Sequence, residues 1–186
     1  MRIGLFGGTF NPSHEGHLLV AQTALRRLKL DRVWWLVTPA NPLKNHDGLP
    51  PLNERMAGAR LLARDPRICV TGFEAEIGAR YTFDTLSYLK RRCVGVEFIW
   101  IMGADNLRQF HLWQRWADIA RLMPMAVIDR PGSTLSVLSS KAAQALRAYR
   151  VDESDGPLLG KTAPAFVFLH GKRSHLSSSA LRRART

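Results

Sequence analysis

Two histidines three residues apart are the side chains in this sequence best placed to do chemistry. They end the segment Gly7-Gly8-Thr9-Phe10-Asn11-Pro12-Ser13-His14-Glu15-Gly16-His17. The apolar run before it is typical of a buried strand, and the apolar spacing after it is typical of a helix. Glycines directly after a strand let backbone N–H groups approach a phosphate, and the positive end of the helix dipole points to the same place. The pattern predicts a phosphate-binding turn in which both imidazoles donate to phosphate oxygens.

This segment differs from three better-known motifs. Its glycines stand at positions 4, 7 and 8, which does not match the G-x-G-x-x-G dinucleotide fingerprint. No Gly-Lys-Ser/Thr follows, so it is not a Walker A loop, and Leu18 stands where a zincin helix needs its second histidine. The nearest further histidines, His46 and His111, lack the spacing of a zinc site. The sequence therefore predicts no protein-held metal.

Strand and helix patterns alternate along the whole chain, and the strand patterns are continuously apolar. This arrangement predicts an α/β fold, a Rossmann-like doubly wound parallel sheet with helices on both faces, in which residues 1–186 form a single domain. Such sheets bind ligands beyond the carboxyl ends of their strands. We expect strands at 2–6, 32–39, 67–71, 97–102, 125–129 and 165–169. We expect helices at 17–30, 53–63, 82–92 and around 113–122 and 139–149, with loops at 130–137 and 150–164.

Motifs at the two ends of the chain resemble one enzyme superfamily. The segment from Gly7 to His17 resembles the signature of the nucleotidylyltransferases named for their His-x-Gly-His motif. Leu176-Ser177-Ser178-Ser179-Ala180-Leu181-Arg182 resembles the C-terminal Ile-Ser-Ser-Thr-x-Ile-Arg box of that superfamily. Three middle segments resemble the bacterial nicotinate mononucleotide adenylyltransferases: Tyr81-Thr82-x-Asp84-Thr85-Leu86, Met102-Gly103-Ala104-Asp105 and Phe110-x-x-Trp113. Asn11 departs from the Asp that the family often has, but both residues cap helices well.

The resemblance implies an enzyme of NAD biosynthesis that transfers AMP from ATP to nicotinate mononucleotide, giving nicotinate adenine dinucleotide and pyrophosphate. The attacking 5′-phosphate has a second pKa of about 6, so it is mostly ionised at neutral pH and needs no general base. Positioning and electrostatic stabilisation then supply the rate. We expect Mg²⁺ to arrive with ATP, since the sequence has no carboxylate cluster to hold it.

The resemblance also assigns site residues in three groups. Phosphate contacts through the transition state are expected from His14, His17, Lys44 and Arg182. ATP binding is expected from Gly7, Gly8, Thr9, Phe10, Ser178 and Ser179. For the acceptor, Thr82 at a predicted helix start suits the pyridine carboxylate, and Asp105 suits a ribose hydroxyl. Trp113 is expected either to stack on the pyridine ring or to pack in the core.

The net charge of +12 fits a nucleic-acid-binding face, attraction of small polyanionic substrates, or a solvated surface. The basic residues are spread along the chain without a lysine-rich tail. One alternative function is a sister adenylyltransferase that uses nicotinamide mononucleotide or phosphopantetheine. Another, from a different class, is a basic RNA-binding module.

Cysteine usage and the lack of long apolar runs predict the compartment. Cys69 and Cys93 show no paired spacing, which suits a reducing environment. The N-terminal segment is too short in apolar residues for a signal peptide, and no run reaches the roughly 18 residues of a membrane span. We expect a cytoplasmic protein with ATP and nicotinate mononucleotide as partners, and with no nucleic-acid or membrane partner. The oligomeric state stays open.

Overall fold

Seven parallel strands form one sheet in the computed structural model, which describes residues 1–39, 48–129, 137–159 and 162–171. The strands are β1 (Arg2–Gly8), β2 (Arg32–Val37), β3 (Ile68–Thr71), β4 (Glu97–Gly103), β5 (Met125–Ile128), β6 (Arg150–Val151) and β7 (Phe166–Leu169). Their spatial order is β3-β2-β1-β4-β5-β7-β6, and every neighbouring pair is parallel. The predicted α/β parallel sheet is therefore confirmed.

Helices connect most of these strands. They are α1 (Glu15–Arg27), α2 (Leu52–Leu62), α3 (Phe73–Glu76), α4 (Thr82–Arg92), α5 (Ala104–Gln109), α6 (Trp116–Leu122) and α7 (Lys141–Ala145). Single 3₁₀ segments cover Phe110–Leu112, Arg147–Tyr149 and Glu153–Leu158. Within the described ranges, no helix has the length and apolar character needed to cross a membrane.

The predicted bounds agree best where the local pattern is strong. Helix α4 has the predicted bounds, and β4 extends one residue past them. The expected loop at 150–164 was wrong, because it contains β6 and a 3₁₀ segment. Strand β6 has only two residues, and it exists because Arg150 and Val151 pair with Phe166 and Val167 of β7. Such a short strand is decided by its partner, so no local periodicity indicates it.

The core lies in two apolar layers, one on each face of the sheet. Successive strand residues point to opposite faces, so Leu5 packs in one layer while Phe6 packs in the other. One layer is completed by α4 to α7, which contribute Leu86, Leu107, Ile119 and Ala142. The other is completed by α1 and α2, which contribute Val20, Leu25 and Ala59. Both faces are covered, as the continuous apolar strands predict.

The strand order creates a crevice at one edge of the sheet. After β1 the chain adds β2 and β3 on one side, and it then crosses to place β4 on the other side of β1. The connections that leave the carboxyl ends of β1 and β4 therefore run in opposite directions, which opens a space between them. We call the edge with these strand ends the carboxyl edge, and the opposite one the amino edge.

Candidate active site

The two histidines cap the N-terminus of α1 and are joined by a hydrogen bond. Nδ1 of His14 accepts a hydrogen bond from the backbone N–H of Gly16 at 3.1 Å. The backbone N–H of His14 in turn donates to Nδ1 of His17 at 3.2 Å, which completes a capping box. Since both Nδ1 atoms accept hydrogen bonds, the hydrogen of each neutral ring resides on Nε2. The cap thus fixes the orientation of both rings and makes each Nε2 a donor.

Two buried aromatic rings pack against this histidine pair. The ring centroids of His14 and His17 are 3.9 Å apart, and His17 lies 4.8 Å from Phe10. Phe10 stacks on Trp35 at 5.0 Å with an interplanar angle of 20°. Phe10 adopts a positive φ of 47°, which few non-glycine residues do, and the burial of its ring in the stack stabilises this backbone. The side chain of Phe10 therefore buttresses the histidines, in addition to the backbone role predicted for it.

Aromatic rings pack closely against both glycines before this turn. Gly7 and Gly8 are the last residues of β1, which continues two residues past its predicted end. A Cβ atom on Gly7 would lie 2.7 Å from Cη2 of Trp100, and one on Gly8 would lie 3.3 Å from the Phe10 ring. The sequence analysis attributed both glycines to phosphate approach. The structure adds a second reason for Gly7, because the Trp100 ring occupies the space where its side chain would stand, while a side chain on Gly8 would need a small shift of the Phe10 ring.

A cavity of about 450 Å³ lies beyond the carboxyl ends of β1 and β4, within the usual size range of small-molecule sites. Gly7, Gly8 and Thr9 line it, and the same loop continues to His14. The other residues that line it are Thr38, Glu74, Arg80, Tyr81, Thr82, Trp100, Asn106, Leu112, Trp113 and Gln114. The cavity therefore brings together three regions of the chain that the sequence motifs marked separately.

The predicted acceptor residues occupy different positions around this cavity. Thr82 is the first residue of α4, as expected, and it lines the cavity. Trp113 also lines it while half-buried, with its ring edge-on to Trp100 at 6.2 Å and to Phe110 at 5.4 Å. Asp105 is exposed on α5 and does not line the cavity, whereas its neighbour Asn106 does. Lys44, Ser178, Ser179 and Arg182 lie outside the described residues, so their roles stay predictions.

Glu74 is a buried carboxyl group in the cavity wall that the sequence analysis missed. It is 6% exposed and accepts a hydrogen bond from Oγ1 of Thr85 at 3.1 Å. Burial raises the pKa of Glu74, while hydrogen bonds from Thr38 and Thr85 partly counteract that rise. The contact joins α3 to α4, so it also fixes the helix start that presents Thr82.

Two further residues at this site were missed. Arg55, in the first turn of α2, is 5% exposed and donates to backbone carbonyls around the glycine turn. Trp100 forms part of the cavity lining, and its buried Nε1 has no hydrogen-bond partner among the described residues. Charged and aromatic residues of this kind occur throughout the sequence, and no spacing distinguished these three.

The described residues contain no group of three or more His, Cys, Asp or Glu side chains that could hold a metal ion. The donors present are imidazole Nε2–H groups, hydroxyl groups and a helix N-terminus, all of which suit anionic oxygen. The chemistry of this edge is therefore that of phosphate and carboxylate recognition.

The parallel sheet has a glycine turn and a capped histidine pair at its switch point, an arrangement suited to binding nucleotide phosphates. In agreement, residues 5–184 match the family described as "Cytidylyltransferase-like", and the chain belongs to that family.

Similar proteins narrow the class further. The chain is 63% identical over 183 residues to a protein of Methylorubrum extorquens strain PA1, covering 98% of this chain and 99% of that one. It is 56% identical over 187 residues to one of Rhizobium meliloti, covering all of both chains. Both carry the name "Probable nicotinate-nucleotide adenylyltransferase". The fold is similar to that of Plasmodium falciparum nicotinic acid mononucleotide adenylyltransferase complexed with NaAD, with a TM-score of 0.73 at 16% identity, covering 98% of this chain and 82% of that one.

Proposed function

We propose that this protein transfers AMP from ATP to nicotinate mononucleotide, releasing pyrophosphate and forming nicotinate adenine dinucleotide for NAD biosynthesis. The observation that carries the proposal is the pair of oriented Nε2–H donors, from His14 and His17, at the start of α1. They directly follow the glycine turn that lines the cavity. Curated relatives at 56–63% identity with this reaction in their names support the same conclusion.

The histidine side of the crevice suits the ATP phosphates. The rings of His14 and His17 lie 3.9 Å apart, close enough for their donors to reach oxygens of one phosphate chain. The N-terminus of α1 adds the positive end of its helix dipole at the same place. Lys44, Ser178, Ser179 and Arg182 would complete the phosphate contacts, and Asp105 would contact a ribose hydroxyl.

The other side suits a pyridine that carries a carboxylate. The N-terminus of α4 opens into the cavity at Thr82, and its dipole favours a negative charge by about 0.3–1 kcal/mol. Trp113 offers a ring face on which a pyridine can stack. These features support the acid over the amide as acceptor.

The reaction needs no protein nucleophile. A 5′-phosphate oxygen of the mononucleotide forms a bond to the α-phosphorus of ATP, and the bond from that phosphorus to the β-phosphate oxygen breaks. The leaving pyrophosphate takes the electron pair. Donors from His14 and His17 stabilise the charge that develops on the phosphate oxygens, which is worth roughly two to three orders of magnitude per donor.

Mg²⁺ fits this site as a partner of ATP, because the described residues offer phosphate donors and no carboxylate cage. When bound to the ATP phosphates it would neutralise part of their charge.

Since ATP is held in the cytoplasm, we propose a cytoplasmic location for the protein.

A single assay tests the proposal. Pyrophosphate release from ATP is measured with nicotinate mononucleotide, nicotinamide mononucleotide and phosphopantetheine in parallel. We expect the highest kcat/KM with the nicotinate acceptor. A higher value with either other acceptor would contradict the substrate assignment. Absence of release with all three, together with RNA binding that persists at physiological salt, would favour the RNA-binding alternative instead.

A further inference from the structure

Arg55 ties together the backbone segments that leave the carboxyl ends of β1 and β2. Its Nη1 donates to the carbonyl oxygens of Thr9 and Thr38, each at 2.8 Å. Its Nη2 donates to the carbonyl of Pro39 at 3.1 Å, and its Nε donates to that of Pro50 at 2.9 Å. One side chain therefore connects the glycine turn, the exit of β2 and the start of α2. We call this set of contacts the carbonyl clamp.

The contacts of Arg55 lie just past the point where backbone pairing between β1 and β2 stops. Among the described residues, the last backbone hydrogen bond between these segments runs from the N–H of Thr38 to the carbonyl of Gly8 at 3.0 Å. Within that part of the chain, strand pairing does not extend to Thr9 and Pro39. A single nitrogen of Arg55 bridges the next carbonyl on each side, which sets the distance between the glycine turn and the β2 exit.

The clamp also places a cation beneath this edge. Its four acceptors are neutral carbonyls, and the ion pairs of the described residues do not include Arg55. Burial lowers the pKa of Arg55, but a guanidinium stays protonated at neutral pH. Its charge is therefore not cancelled by a neighbouring carboxylate within that part of the structure, and it favours polyanions bound at the turn.

We propose that Arg55 is a positioning residue, which holds the glycine turn in the geometry that binds the ATP phosphates. This inference rests on the proposed function. The planar fork is essential to it, because lysine has three donors on one atom and cannot reach four carbonyls around it.

Arg2 provides a matched control at the amino edge. Its guanidinium also donates to carbonyls of distant segments, those of Leu28 and Leu159. It differs in pairing with the carboxylate of Glu97 at 3.1 Å, and it lies at the opposite end of β1 from the cavity. Replacing it by lysine disturbs the same kind of contact without touching the phosphate turn.

The experiment compares R55K, R55A and R2K with the wild-type enzyme. For each we measure the Tm, the increase in Tm caused by ATP, and kcat with nicotinate mononucleotide. In R55K we expect kcat to fall roughly 10- to 100-fold, as for a misplacement of reacting groups by about 1 Å. We also expect the ATP-induced increase in Tm to shrink in R55K, whereas R2K loses Tm alone. If R55A fails to fold, R55K decides the question.

A purely structural arginine would give a different result. R55K would then behave like R2K, with a lowered Tm, kcat within about threefold of wild type and an unchanged response to ATP, which would overturn the proposal. The ATP-induced shift does not require an acceptor, because any ligand that binds the native state raises its Tm. If the wild type shows no turnover, the proposed function fails, while the ATP shift still decides the role of Arg55.

Discussion

Two ionisable side chains at the carboxyl edge of the sheet, Arg55 and Glu74, are buried without an ion pair among the described residues, whereas Arg2 at the amino edge is paired near solvent. Arg55 and Glu74 are 5% and 6% exposed, and neither takes part in the ion pairs of the described residues. Arg2 instead pairs with Glu97, and its backbone N–H donates to Asp31 at 2.7 Å. Burying a charge without an ion-pair partner costs several kcal/mol of stability, so this cost falls at the carboxyl edge. That difference indicates where the fold gives up stability for function.

Removing the His17 side chain should produce the largest difference in kcat between variants at the two edges. In His17→Ala the loss of one donor should lower kcat by roughly 10²- to 10³-fold. The capping bond to the His14 N–H is lost as well, so the free energy of unfolding should fall by about 0.5–2 kcal/mol. Turnover and urea unfolding measure the two effects.

Asp31→Ala is the control for this variant, since it also removes one side-chain acceptor of a backbone N–H, but at the amino edge. It should cost about 1 kcal/mol and leave kcat within about twofold of wild type. If His17→Ala keeps more than about a third of wild-type kcat, His17 has no part in the reaction.

Trp113→Ala tests whether Trp113 at the carboxyl edge stacks on the substrate or packs in the core. Stacking of a ring on an aromatic side chain is worth about 1–3 kcal/mol, so the KM for nicotinate mononucleotide should rise roughly 5- to 150-fold. The KM for ATP should change little, because the phosphates are assigned to the histidine side. Steady-state kinetics with each substrate varied in turn measures both values.

The matched control is Trp116→Ala. Trp116 packs edge-on against Phe110 at 5.9 Å, as Trp113 does at 5.4 Å, but it does not line the cavity. Its truncation should lower stability without changing either KM. Equal increases in both KM values for Trp113→Ala, with a stability loss of about 3–5 kcal/mol, would show that Trp113 is a core residue.

Gly7→Ala tests whether the cavity floor is as tightly packed as the distance of 2.7 Å to Trp100 indicates. The added methyl group must displace the indole, so we expect a loss of about 1–3 kcal/mol in the free energy of unfolding. Gly58→Ala in α2 is the control, since its added Cβ meets nothing closer than Ser13 Oγ at 4.0 Å. It should stabilise the helix by about 0.5–1 kcal/mol. Similar results for both variants in urea unfolding would disprove the packing argument for Gly7.

The smallest expected effect is on the pH dependence of stability, which should have opposite signs for one carboxyl group at each edge. Burial raises the pKa of Glu74 above its ordinary 4.5, so its protonated form is the one the fold favours. Stability from this group is present below pH 4.5 and is lost as the pH rises through the folded pKa. Glu74→Gln should therefore gain stability relative to wild type, by a few degrees in Tm, as the pH rises.

Asp65, just before β3 at the amino edge, should show the reverse. Hydrogen bonds from the Arg67 side chain and backbone hold its pKa below the ordinary 3.8. Its stabilising effect is present above pH 3.8 and is lost as the pH falls through the folded pKa. Asp65→Asn should thus be less stable than wild type at neutral pH, with a difference that disappears in acid. Thermal melts of both variants across pH measure this, and differences of the same sign would contradict the contrast between the edges.

The elements with strong local patterns could be predicted from the sequence. The bounds of α4 and most of β4 follow from apolar periodicity and continuous hydrophobicity. Helix α1 was expected at 17–30 and lies at Glu15–Arg27, because the capping box of the two histidines starts it two residues earlier. The family resemblance marked the histidines, the glycine turn, Thr82 and Trp113 through short contiguous motifs, and their roles stay predictions. The structure places Gly7, Gly8, Thr82 and Trp113 around one cavity. The single-domain prediction for residues 1–186 stays a prediction, because the last 15 residues lie outside the described ranges.

Contacts between segments far apart in the chain were decided only by the tertiary structure. The ring that forbids a side chain on Gly7 belongs to Trp100, and the two residues meet only because β1 and β4 are neighbours in the sheet. Arg55 and Glu74 resemble surface residues in the sequence, since a charged side chain in an amphipathic helix is normally solvated. Their burial results from the helices and strand exits that close over the carboxyl edge. Local sequence determines which way a segment folds, but the desolvation of a side chain depends on everything packed around it.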